Sequence, residues 1–248
     1  HKEYRRQRQM CIRDRSYGYK TGTSMSCPAI SGVMAQLYQA YKELNGGINP
    51  KSSLMKAILL NAADDLGNSG PDFKYGWGEV NAFQAIKILE NNQYLNSSIS
   101  QSGNNNHNIS VPLGTKQLNV MVYWHDVQGS VNAIPALVND LDINLTNSNG
   151  ITYYPWYLNT TSNASSLNSN ATYGNDHINN MEQITIDNPN AGNYTLSVDG
   201  LTVPFGTQEY WITYQFINDD IKLTYPVGGE GFVPGEDELI RWDASINN

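Results

Sequence analysis

The spacing of apolar side chains changes character near residue 97, which restricts the chain to a helical part followed by a β part. Before that point the period is helical. Ile30, Val33, Met34, Leu37, Tyr38 and Tyr41 recur at three- and four-residue steps and share one face of a long helix. Asn45-Gly46-Gly47 stops it, and Asn49-Pro50 offers a cap and a first-turn proline for a second helix. Leu54, Met55, Ile58, Leu59 and Ala62 form the buried stripe of that helix, and Phe83, Ile86 and Leu89 mark a third. After a polar stretch, Asn96 to Asn108, read as a linker, the period becomes two. Leu118, Val120, Val122 and Trp124 alternate, as do Leu141, Ile143 and Leu145. Further strands are expected at 183–186, 194–198 and 210–216, separated by Asn-Pro, Ala-Gly-Asn and Pro-Phe-Gly turns. Strands at this spacing with no helix between them predict an antiparallel sandwich or jelly roll.

Composition narrows the class. Of 248 residues, 40% are apolar and 15% charged, enough to bury a core and too few charges for a polyelectrolyte tail. No run is apolar for long enough to cross a membrane. A charged-then-apolar leader is also missing, so an export signal is expected outside this chain. Residues 1–16 carry six of the fifteen Lys/Arg and two of the twenty-three Asp/Glu. Without them nine basic residues face twenty-one acidic ones, a balance of −12. The basic arm is set apart in composition from the Asn/Ser/Thr/Tyr-rich remainder and reads as foreign sequence rather than as a nucleic-acid patch. The acidic remainder disfavours DNA and anionic lipid as partners. Cys11 lies in the arm, which leaves Cys27 without an intramolecular disulfide partner.

One stretch carries chemistry: Gly22-Thr23-Ser24-Met25-Ser26-Cys27-Pro28-Ala29-Ile30-Ser31-Gly32. A serine that opens a long helix sits at the positive end of the helix dipole, among backbone N–H groups with no helical partner. Such a site stabilises an oxyanion forming on an attacked carbonyl. The plain alternative is that Thr23 or Ser24 caps the helix. Met25 is expected to pack, and Cys27 to be a small buried helix residue rather than a second nucleophile. Small residues at 29, 31 and 32 suit a helix that runs through a crowded core.

The string Gly-Thr-Ser-Met-x-x-Pro, followed by small and aliphatic residues and Gly32, resembles the nucleophile segment of the subtilisin-like serine peptidases. The following helices are similar too, as is the turn Tyr75-Gly76-Trp77-Gly78-Glu79-Val80-Asn81. The resemblance implies that Ser24 is the acylated nucleophile and that its own N–H is one oxyanion donor. Ala29 stands where the family usually has His, a residue that is not the catalytic base. In this family the order is Asp, His, Ser, so the base, its carboxylate and the oxyanion asparagine are expected upstream of Ser24. His1 is in the arm, and His107, His125 and His177 are in the β part, none in a His-Gly-Thr-His setting. The chain alone is therefore expected to be inactive.

In the β part, Asp140, Asp142 and Asn144 share the face opposite Leu141, Ile143 and Leu145. Carboxylates at i and i+2 repel unless solvated or bridged by a hard cation, so Asp140 and Asp142, with Glu182 from another strand, are candidate Ca²⁺ ligands. Val-Asn-Asp-Leu-Asp (138–142), Val122–Asp126 and Gly192–Val198 resemble the β-sandwich domain that follows the peptidase in a branch of calcium-binding alkaline subtilisins. The expected organisation is an arm (1–16), the C-terminal part of an α/β catalytic domain (17–96), a β-sandwich (97–218) and the start of a further β module (219–248). The expected activity is serine endopeptidase action on protein or peptide substrates by a secreted monomer. The competing reading is an extracellular adhesion or carbohydrate-binding protein with a degenerate peptidase-like segment.

Overall fold

The computed structural model describes residues 22–218, 221–232, 234–235 and 237–244, so the basic arm lies outside the described residues. The chain divides into two compact units, residues 1–36 and 37–248. Three helices come first: α1 (Thr23–Leu44), α2 (Ser52–Asn61) and α3 (Ala82–Glu90). α1 ends as its Asn-Gly-Gly sequence requires. Gly46 and Gly47 take φ of +61° and +88°, and the Gly47 amide turns back to the Lys42 carbonyl at 2.7 Å. α2 starts later than expected. Lys51, with extended backbone and no side-chain cap, holds the cap position, and Asn49-Pro50 stays outside the helix. α3 is capped by Asn81, whose side chain accepts from the Gln84 amide at 2.9 Å.

Twelve strands follow among the described residues, and every pairing between them is antiparallel. They are β1 (Tyr94–Ile99), β2 (Asn104–Val111), β3 (Gln117–Trp124), β4 (Asp140–Asn147), β5 (Thr152–Tyr153), β6 (Trp156–Tyr157), β7 (Thr172–Tyr173), β8 (Met181–Asp187), β9 (Gly192–Thr202), β10 (Gln208–Ile217), β11 (Ile221–Tyr225) and β12 (Arg241–Ala244). A one-turn helix, α4 (Ala164–Leu167), interrupts the series. Two four-stranded sheets result, ordered β1-β10-β3-β8 and β2-β9-β4-β5, with small pairs β6-β7 and β11-β12 beside them.

Leu118, Val120, Val122 and Trp124 from one sheet and Leu141, Ile143, Leu145, Leu196 and Val198 from the other join one core cluster, none more than 1% exposed. The chain is thus mostly β-sheet with a few helices. The parallel sheet expected of an α/β catalytic domain is not found among the described residues. Accordingly α1 does not run through a core: Leu37 is its one buried residue, and Ile30, Val33 and Met34 stay half-buried.

The expected linker is also structured. Its Asn-rich sequence forms β1 and β2, each at the edge of a sheet, where only Ile99, Ile109 and Val111 need to face the core. A second difference concerns β3. Its alternation predicted one buried face, yet Asn119, Met121 and Tyr123 are buried as well. α2 packs on the outer face of β3 and β10 and accounts for this. The Gln183 side chain donates to Asn61 Oδ1 at 2.9 Å, Gln215 donates to the Asn61 carbonyl at 2.7 Å, and Lys56 Nζ lies 4.9 Å over the Tyr123 ring.

Candidate functional site

The Gly22 carbonyl accepts the first helical bonds of α1, from the amides of Met25 at 2.9 Å and Ser26 at 3.3 Å. The amides of Thr23 and Ser24 therefore precede the ladder, at the electropositive end of a 22-residue helix. Thr23, Ser24, Met25, Ser26 and Cys27 are all exposed, so a group approaching the Ser24 hydroxyl meets side chain and amide together. Met25 is 45% exposed rather than packed, and Cys27 is an exposed free thiol rather than a buried one. Pro28 falls in the second turn, so the N–H that would have bonded the Ser24 carbonyl is missing there. Ser31 Oγ donates to the Cys27 carbonyl at 2.9 Å.

The three described histidines all have neighbours in the second unit. His107 Nε2 lies 2.8 Å from the Tyr210 hydroxyl, and His125 stands edge-on to the Tyr123 ring at 5.6 Å. His177 Nδ1 lies 2.9 Å from Asp140 Oδ2 and 3.5 Å from Asp142 Oδ1.

That last contact defines a second site. β4 begins at Asp140 with a break in register against β9, a bulge that brings the strand end out of regular pairing. Asp140 and Asp142 point to one side, as their i, i+2 spacing requires, and meet His177 on the loop before β8. The ligand-capable atoms of Asp140, Asp142 and His177 all lie within 4.8 Å of one another. Oδ1 of Asp140 and Oδ1 of Asp142 are buried and make no hydrogen bond. Burial raises both carboxyls above the ordinary aspartate range, while His177 pulls them back down.

Glu182 is not a third member of that group. It is 1% exposed, and its two oxygens accept from the amides of Ile143 at 2.8 Å and Asp176 at 3.2 Å. The carboxyl joins β8 of one sheet to β4 of the other and ties down the loop that carries His177. Burial, then the neighbouring Asp142 charge, drives it well above the usual glutamate range. His177 was weighed in the sequence only as a stray base. Its place in an Asn-Asp-His loop next to Glu182 was the available signal, but nothing in the spacing tied that loop to β4.

Two carboxylates and an imidazole thus lie close enough together among the described residues that they could hold a metal ion. Among the described residues no helix is long and apolar enough to cross a membrane.

Comparison with known proteins bears on the first site. The profile of the subtilase family (peptidase S8) matches residues 6–78, a span that includes Ser24 and both turn glycines, Gly76 and Gly78. An extracellular serine protease of Serratia marcescens is 39% identical over 70 residues, 28% of this chain and 6% of that protein. The autotransporter lipoprotein NalP of Neisseria meningitidis is 35% identical over 65 residues, 26% of this chain and 6% of that protein. The chain thus spans a small fraction of these relatives. Among solved structures, the Clostridium perfringens CspB protease covers 49% of this chain and 25% of its own length, at 10% identity and a TM-score of 0.29. By sequence, residues 6–78 are similar to the subtilase family of subtilisin-like peptidases, a span that begins within the basic arm.

Proposed function

We propose that this chain belongs to a secreted serine endopeptidase that hydrolyses peptide bonds through an acyl-enzyme on Ser24. The observation that carries the proposal is an exposed serine at the open head of α1, inside the segment that matches the subtilase family. In the mechanism, Ser24 Oγ attacks the scissile carbonyl and an imidazole upstream of Ser24 takes its proton. The Ser24 amide donates to the oxyanion, the amine leaves, and water hydrolyses the ester. His107 and His177 make polar contacts with Tyr210 and Asp140, and His125 stands against the Tyr123 ring. In this reading none is the base, and the chain by itself is expected to give no Ser24-dependent burst with an activated ester.

The two sheets are read as a β-sandwich domain of residues 97–218 that buttresses the catalytic part, 17–96. A further β module begins near 219, as the β11-β12 pair suggests. Protein or peptide chains are the substrates. A structural cation at Asp140 and Asp142 belongs to the same reading, with calcium as the ion that the resemblance implies. The extracellular protease among the relatives supports export.

Fluorophosphonate labelling of the longer parent, with and without Ser24→Ala, tests the assignment. Labelling that disappears in the variant is expected. Unchanged labelling removes Ser24 from its role.

A further inference from the structure

The geometry points to a borderline divalent ion, zinc foremost, as the occupant of the Asp140–Asp142–His177 group, in place of calcium. This rests on reading the group as a cation site, and two features support that reading. Asp142 is only 9% exposed, and its Oδ1, free of any hydrogen bond, is 3.5 Å from His177 Nδ1. Asp140 Oδ1 is likewise buried and makes no hydrogen bond, so the fold holds two carboxylate oxygens away from water with His177 as their nearest cationic side chain.

The donor set then selects the ion. Calcium takes about six to eight oxygens and has little use for nitrogen. The third candidate oxygen ligand, Glu182, is already committed to the amides of Ile143 and Asp176. In its place the fold presents an imidazole nitrogen, which suits zinc and its first-row neighbours. Ligands about 2.0–2.1 Å from a tetrahedral ion stand roughly 3.4 Å apart. The 3.5 Å from His177 Nδ1 to Asp142 Oδ1 matches that spacing, whereas the 2.9 Å to Asp140 Oδ2 is a hydrogen bond that opens by about 0.5 Å when an ion enters. Two carboxylates and one imidazole leave the fourth position to water, and the ion's charge balances the two aspartates. An ion bound there would take the Nδ1 lone pair of the neutral imidazole, with the ring proton carried on Nε2 and any second proton released to water. The ion would then pin the His177 loop to the start of β4, the same two segments that Glu182 joins from beneath.

The test uses the full 248-residue chain stripped with chelator, titrated separately with Zn²⁺ and Ca²⁺ by calorimetry, with thermal unfolding as a second readout. Zn²⁺ is expected to bind at least about ten-fold more tightly than Ca²⁺. His177→Gln is expected to remove that advantage and leave Ca²⁺ affinity within about two-fold, whereas Asp142→Asn weakens both ions. Because His177 pairs with Asp140 and Asp142, each variant's metal-induced shift is read against its own metal-free unfolding midpoint. Tighter Ca²⁺ than Zn²⁺, or Zn²⁺ affinity unaltered in His177→Gln, overturns the choice of ion. Binding of neither ion overturns the cation site itself.

Discussion

Asn61 and Gln183 form a buried amide pair that fastens α2 to the sheet, and its worth is measurable. Asn61 is fully buried, Gln183 is 7% exposed, and one hydrogen bond of 2.9 Å joins Gln183 Nε2 to Asn61 Oδ1. Asn61 Nδ2 has no partner at all. Gln183→Met keeps volume but leaves the Asn61 amide with neither group satisfied, so it costs about 1–3 kcal/mol, the penalty for orphaning a buried polar group. Asn61→Leu is the milder change, since it strands Gln183 Nε2 but also removes the donor already unpaired. The double variant leaves no orphan from the pair, so its loss falls below the sum of the singles by about 1–2 kcal/mol. The Gln215 bond to the Asn61 carbonyl persists in all three proteins. Urea unfolding with a common slope gives the coupling, and each 1 kcal/mol shifts the thermal midpoint by about 2–4 °C at this size. Losses that add within about 0.5 kcal/mol would show that the Asn61–Gln183 hydrogen bond contributes no coupling and refute the argument.

Two further perturbations probe the turn between α2 and α3. Asp72 accepts from the amides of Asn68, Lys74 and Tyr75, and these bonds, that of Tyr75 foremost, hold its carboxyl below the usual range. A depressed folded pKa gives stability that is full above the unfolded value and drains away as pH falls through the folded one. Wild type should therefore lose stability relative to Asp72→Asn below about pH 4, and parallel pH curves from urea unfolding would refute this. Gly78, at φ +109°, would place a Cβ 1.9 Å from the Asp64 carbonyl oxygen, whereas Gly76, at φ +65°, has nothing within 4 Å. Gly76→Ala should cost about 1–2 kcal/mol of backbone strain and Gly78→Ala clearly more; equal midpoints in a thermal melt would contradict the close approach.

Much of the architecture could be read from side-chain period alone, because a strand with one buried face writes its geometry as alternation. β4 is an example: Leu141, Ile143 and Leu145 were identifiable as inward-facing, and all three join the core. β3 hid its second buried face, since Asn119 and Met121 look like solvent-side residues until α2 is laid over them. The edge strands β1 and β2 were mistaken for linker because an edge asks so little apolar content of its sequence. That Asp140 and Asp142 share a face could be read from local spacing, which fixes the side a strand residue takes. The place of His177 beside them could not, because nothing local links a loop ahead of β8 to the first residue of β4. Glu182 was offered as a third calcium ligand, whereas its oxygens serve two backbone amides, a demand that only the paired sheets reveal.

The coverage of β3 and β10 by α2 sets where this protein tolerates being cut. Severed at residue 97, the sheet would lose its roof, baring Met121 and Tyr123 together with the amides of Gln183 and Gln215, an oily and hydrogen-bond-hungry surface that invites self-association. A piece that begins ahead of Leu37 keeps that roof. A body that keeps its cover therefore needs both the β-sheet and a helix drawn from the stretch that is similar to the subtilase family.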